Sequence, residues 1–153
     1  MCNNHEHRGN ECAIVEILRV IEILQNNACP EACSDLCDRP VLGGGNNFVT
    51  CNTRPVQLFL SGANGTPLCM PIYKDAIDFD ANAGEGDPMY HRTSSVFRVE
   101  KLEGDCCTFR VLEPRYPQNG GENHFVATNS CFTLCLDCCC CIRCLTDCYV
   151  ECI

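Results

Sequence analysis

Nine cysteines fall between Cys131 and Cys152, five between Cys2 and Cys37, and four, Cys51, Cys69, Cys106 and Cys107, between those ends. Thiols at such density can cross-link chains, hold metal, or act as nucleophiles. Eighteen in 153 residues is about 12%, above the share at which sulfur chemistry is expected to hold a short chain together. A chain of this length can bury a core without covalent staples. The excess therefore points to bonds made beyond the fold itself.

Metal binding is the alternative reading, a cysteine-rich zinc or iron–sulfur structural module. Cys138, Cys141, Cys144 and Cys148 reproduce the spacing of a ferredoxin cluster run. Tyr149 stands where proline usually follows, no second run exists, and nine crowded cysteines generate many spacings by chance. His5 and His7 lie between Cys2 and Cys12 at no standard finger spacing. Asp78, Asp80 and Asn82 open like a calcium loop, but Ala83 and Met89 occupy the positions that need glycine and glutamate. His91 and His124 stand alone, with no nucleophile and base in a defensible pattern. No catalytic residue, cofactor site or metal site is assigned, and the chain is read as a non-enzyme.

The net charge of −9 argues against nucleic acid, whose phosphates call for basic patches. The N-terminus is polar and lacks the apolar stretch of a secretory signal, and no run approaches a membrane span. Synthesis in a cytoplasm, without membrane insertion, is expected. Thiols are held reduced there, so disulfides would close only after reducing power is lost.

The elements that must carry these thiols begin with one amphipathic helix over about 11–26, with Asn10 available as its cap and Ile14, Ile17, Leu18, Ile21 and Leu24 as its docking face. Its β-branched residues make it depend on a covering partner. Residues 27–47, with Pro30, Pro40 and Gly43–Gly45, read as loop. Strands follow: Phe48–Leu60 and Thr66–Tyr73 about an Asn64-Gly65 turn, then a hairpin in which Phe97 and Val99 face Phe109 and Val111 across Glu103-Gly104-Asp105. Extended chain resumes from His124 to about Leu145. The expected fold is mainly β, a single antiparallel sandwich-like domain with one N-terminal helix and cysteine-rich ends. Its parts are an arm over 1–45, a β domain over 46–147 and a short tail over 148–153.

On an uninterrupted strand over 132–145, side chains alternate between faces. Cys138, Cys140 and Cys144, joined by Cys107, are then expected core thiols, since reduced cysteine packs as a small hydrophobe. Cys135, Cys139 and Cys141 fall on the opposite row. Together with Cys2, Cys12, Cys29, Cys33, Cys37, Cys148 and Cys152 of the two ends, they are the expected intermolecular disulfide formers. Doublets such as Cys106-Cys107 and Cys139-Cys140 point to opposite faces and cannot readily bridge each other.

Four blocks carry a resemblance. They are Cys12-Ala13-Ile14-Val15 leading to Ile23-Leu24-Gln25; Asn52-Thr53-Arg54-Pro55 with Leu58-Phe59 and Gly65; Val96 to Glu100 followed by Cys107 and Leu112; and Cys131-Phe132-Thr133-Leu134 with Leu136, Cys138, Cys140, Ile142, Cys144 and Leu145. In these blocks the chain resembles the CotY/CotZ/ExsY family of Bacillus spore outer-layer proteins. The resemblance implies a structural protein of the crust or exosporium, made in the mother cell. It also implies self-assembly, as hexamers tiling into sheets, cross-linking by disulfides, and contact with other coat proteins. Cys135, Cys139 and Cys141 depart from the family pattern and suggest heavier cross-linking.

Overall fold

Residues 13–27, 51–83, 86–121, 124–151 and 153 are described in the computed structural model. Asn10, Cys2, Cys12, Cys29, Cys33, Cys37 and Cys152, with most of the expected loop over 27–47, lie outside them. The apolar spacing produces helix α1 (Ala13–Asn27), which buries Ile14, Val15, Leu18, Ile21 and Gln25. The docking face is thereby corrected at two positions, because Ile17 and Leu24 are 39% and 49% exposed. Residues 14, 18, 21 and 25 wind along one line of the helix, and that line places polar Gln25, not Leu24, against the domain. Both ends of its amide are bonded: Nε2 donates to the Val99 carbonyl at 2.8 Å and Oε1 accepts the Arg54 N–H at 3.1 Å.

The strands are β1 (Val56–Leu60), β2 (Met70–Pro71), β3 (Thr93–Ser94), β4 (Val96–Glu103), β5 (Cys106–Arg115), β6 (His124–Cys135) and β7 (Cys139–Cys144). Five form an antiparallel sheet in the order β6-β5-β4-β1-β7, and β2 pairs with β3. The fold is mainly β with an N-terminal helix. At the first turn Asn64 and Gly65 both take positive φ, 53° and 80°, as a tight hairpin turn requires. The chain beyond them bonds back to β1 at Leu68, whose N–H donates to the Leu58 carbonyl at 2.8 Å, and then pairs at Met70 with Ser94. The β4–β5 hairpin turns at Gly104, φ 57°, with Glu103 opposite Cys106.

β6 and β7 occupy opposite edges of the sheet, yet only Leu136–Cys138, a 3-10 turn, separates them. That link reaches about 14 Å at full extension, whereas a flat sheet of this order would put its edges about 19 Å apart. The sheet must curl. It folds where β1 meets β4 at a single pairing, Val56 with Phe97, and the β1–β7 ribbon closes over the β4–β5–β6 meander.

Between these layers lies the main core of Leu18, Ile21, Val56, Leu58, Phe97, Val99, Phe109, Val111 and Leu136. Phe97 and Phe132 meet edge to face at 4.9 Å, and Phe109 stacks on Phe132 at 5.4 Å. A smaller cluster of Val96, Leu112 and Val150 covers the reverse face at one end. Residues 148–150 are part of this packing: Cys148 bridges Thr53, Val150 is 1% exposed, and the Asn52 side chain bonds both the N–H and the C=O of Val150.

Truncating the buried helix amide strands two partners. Gln25→Ala is expected to lower unfolding free energy by about 2–3 kcal/mol in urea titrations under reductant, whereas Leu24→Ser, on the exposed side, should change it by less than about 0.5 kcal/mol.

Candidate functional site

The expected alternation over 132–145 breaks at two places, a turn and a bulge. Through β6 the odd positions Cys131, Thr133 and Cys135 face outward, while Phe132 and Leu134 pack towards the core. Leu136 then anchors the 3-10 turn at 2% exposure, its N–H bonded to the Asp105 carbonyl at 2.8 Å. After that turn it is Cys139 that is buried, at 2% exposure, opposite Leu60. A bulge between Phe59 and Leu60 absorbs Cys140 and restores Ile142 to the core side opposite Leu58.

Three of the four expected core thiols are thus corrected. Cys138 and Cys140 are displaced outward by the turn and the bulge, and Cys144 is exposed at the end of β7. Cys139, expected as a cross-linker, is interior. Cys107 is buried, and Cys135 and Cys141 are exposed. Cys51 and Cys131, not singled out from the sequence, are exposed as well, and Cys69, Cys106 and Cys148 are half-buried. Period-two alternation continued back along β6 would have placed Cys131 outward; Cys51, in non-strand chain, carries no such signal.

The outer thiols fall into two patches at opposite ends of β7. At one end the β4–β5 hairpin, the 3-10 turn and the tip of β1 converge. Here the Cys106 and Cys135 sulfurs lie 3.1 Å apart, the Cys138 Sγ donates to the Cys135 carbonyl at 3.0 Å, and the Cys140 Sγ donates to the Phe59 carbonyl at 3.3 Å. At the other end are Cys51, Cys144 and Cys148. Arg54 grips Asp147 there through two bonds of 2.6 and 2.8 Å, which hold the Asp147 carboxyl below its usual range. Cys131 lies on the outer face of β6, opposite Arg110 in the β5–β6 register, and belongs to neither patch. The rise of β7 separates the patches by about 17 Å.

Burial divides these thiols by reactivity, because the thiolate is the reacting form. It pushes Cys107 up to about 12, with the Glu22 carboxylate adding to the effect. It pushes Cys148 up to about 11, helped by Cys51 and Asp147. Cys139 and Cys69 are also raised, chiefly by burial. Cys106 is raised first by its hydrogen bond with Cys135. Among the described residues no group of three or more His, Cys, Asp or Glu is arranged to hold a metal ion.

Comparison with known proteins gives one result. The model of the family described as spore coat protein Z matches residues 1–124. No curated protein and no solved structure matches the chain. The matched stretch runs from the N-terminal cysteines through α1 and all of β1–β5, and it stops ahead of the nine cysteines that begin at Cys131.

Cys139→Ser should destabilise the reduced monomer by about 1 kcal/mol, since it removes a sulfur packed in the core and leaves a hydroxyl whose burial is offset only in part by the Cys141 carbonyl that now accepts from the thiol at 3.4 Å, while Cys138→Ser should be nearly silent in the same urea titration. Burial keeps Cys107 protonated well above the pH at which an ordinary cysteine ionises. Timed alkylation of the native protein at pH 8 should therefore label Cys138, Cys140, Cys141 and Cys144 first and leave Cys107 and Cys139 protected. A raised thiol pKa favours the fold while the group is protonated. That contribution should be intact below pH 9 and be lost as pH climbs from 9.0 towards about 12.

Proposed function

The chain belongs to the spore coat protein Z family, a structural role at the spore surface, and from that premise we propose that it builds a two-dimensional lattice welded by disulfides between subunits. The observation that carries this reading is that exposed thiols stand at both ends of β7, Cys138 and Cys140 at one and Cys51 and Cys144 at the other. A subunit with thiols at one end only could cap a neighbour; one with thiols at both ends can link to two or more, and such subunits extend into a network. Cys51, Cys138, Cys140, Cys141 and Cys144 are the described thiols best placed for this. Those of the N-terminal arm, Cys2, Cys12, Cys29, Cys33 and Cys37, together with Cys152, add to the supply of cross-linking groups.

Order precedes sulfur in this scheme. Non-covalent contacts between copies set the symmetry, hexameric by the family resemblance, and place thiols opposite one another at high effective concentration. Bonds made first would freeze wrong geometries. Reducing conditions in the mother-cell cytoplasm keep the thiols open during assembly, and their loss on lysis lets the bonds close. The sheet then forms crust or exosporium and offers a surface to other coat proteins.

Recombinant full-length protein oxidised after assembly should give a ladder on denaturing gels that collapses with reductant. Electron micrographs should show sheets that survive boiling only while oxidised. A chain that stays monomeric through oxidation, or one that carries stoichiometric zinc or iron by elemental analysis, overturns the scheme.

A further inference from the structure

Cys106 opens β5, Cys135 closes β6, and the two are direct cross-strand partners. Their sulfurs are 3.1 Å apart on the outer face of the sheet. Opposed residues in an antiparallel pair have Cα atoms about 4.5–5.5 Å apart, which falls inside the span of a disulfide, about 4.4–6.8 Å. The neighbouring pairs hold this register. The Thr108 and Thr133 hydroxyls bond at 2.9 Å on the same face, and the Leu136 N–H ties the far side of Cys135 to the Asp105 carbonyl. Neither strand has to move for the sulfurs to meet. Cys107, next in sequence, points into the core opposite Leu134 and does not compete.

We propose that Cys106 and Cys135 close a disulfide within a single subunit, ahead of any bond between subunits. The inference goes beyond lattice welding because it needs no second copy. Its partner sulfur is already in place, whereas a neighbour's thiol must be brought by assembly. The oxidant is a small-molecule disulfide such as oxidised glutathione. One cysteine, as thiolate, attacks a sulfur of that disulfide, expelling one small thiol and leaving a mixed disulfide. The second cysteine then attacks the protein sulfur of the mixed disulfide and expels the other small thiol. Two electrons pass from the cysteine pair to the reagent, and the two protons the cysteines give up end on the two released thiols. The bond withdraws Cys135 from the pool available to neighbours. It also pins the edge strand β6 where the chain enters the 3-10 turn, so that Cys138 and Cys140 are presented from a fixed base.

The test uses full-length protein, an equal mixture of unlabelled and heavy-isotope-labelled chains, oxidised in dilute solution with oxidised glutathione. It is sampled over time, alkylated, digested and analysed by mass spectrometry. The expected first product is a peptide pair joined through Cys106 and Cys135 with both halves of one isotope, retained in Cys107→Ala and lost in Cys106→Ser. Oxidation should raise the thermal midpoint of the monomer by about 5–10 °C, a shift absent in Cys106→Ser. Linked pairs of mixed isotope would overturn the inference, as would alkylation of both cysteines after other disulfides have formed. A protein that makes this bond but no sheets sinks the lattice reading alone, and sheets without it sink only this one.

Discussion

The arrangement of thiols depends on one constraint: Leu136 must be inside. At 2% exposure, with its N–H held by the Asp105 carbonyl, it nails the crossing between the two sheet edges to the tip of the β4–β5 hairpin. A side chain of this kind contributes about 1.5–3 kcal/mol when fully buried, enough to dictate the path of the residues around it. Three residues of 3-10 turn break the alternation that an unbroken strand would have continued. Cys139 is drawn in, Cys138 and Cys140 are turned out, and the thiols at this edge are exposed.

Closing the curled sheet also requires polar groups to go inside, and among the described residues the Arg92 Nε is left without a partner while Gln25, Arg98 and Asn52 are bonded. Gln25 ties the helix to Val99 and to the backbone of Arg54. Arg98 is 7% exposed on the reverse face, and its guanidinium donates to the Thr53 hydroxyl, the Asn52 carbonyl and the Val99 carbonyl. Burial lowers its pKa, with Glu100 countering the effect. Asn52 in turn holds Val150. An unpaired buried donor costs about 1–3 kcal/mol, so this network binds α1, the approach to β1 and residues 148–150 into one cooperative unit. The C-terminal residues thereby become part of the scaffold that aims Cys51, Cys144 and Cys148.

A protein of this design separates two tasks that sulfur could otherwise confuse. Thiols in the core fill space and are held protonated by burial, whereas the outer ones are open to solvent and, in the function proposed above, to neighbouring copies. Cys107 and Cys139 serve the first task. The second falls to thiols on turns, edges and strand ends, where exposure and reach matter more than pairing geometry. Family membership accounts for the surface role, and the placement of the thiols accounts for how such a surface could be made permanent.

Much of this was legible in the chain. The helix followed from apolar spacing of three and four, the β4–β5 hairpin from alternation about Gly104, and the outward rows of β6 from period two, because each reflects contacts between near neighbours in sequence. What could not be read were features set by distant partners. Gln25 displaces Leu24 from the docking face because its amide finds Val99 and Arg54. The chain after Gly65 bonds back to β1 at Leu68 but builds no ladder with it, because Met70 pairs with Ser94. Cys106 and Cys135 meet only through the β5–β6 register. The sequence by itself determined that this is a β-rich domain with one helix and far more sulfur than its folding needs. Tertiary structure alone decided which sulfurs face out beyond Cys135, since burial at one turn and one bulge, and not the alternation of residues along a strand, sets the side on which Cys138, Cys139 and Cys140 land.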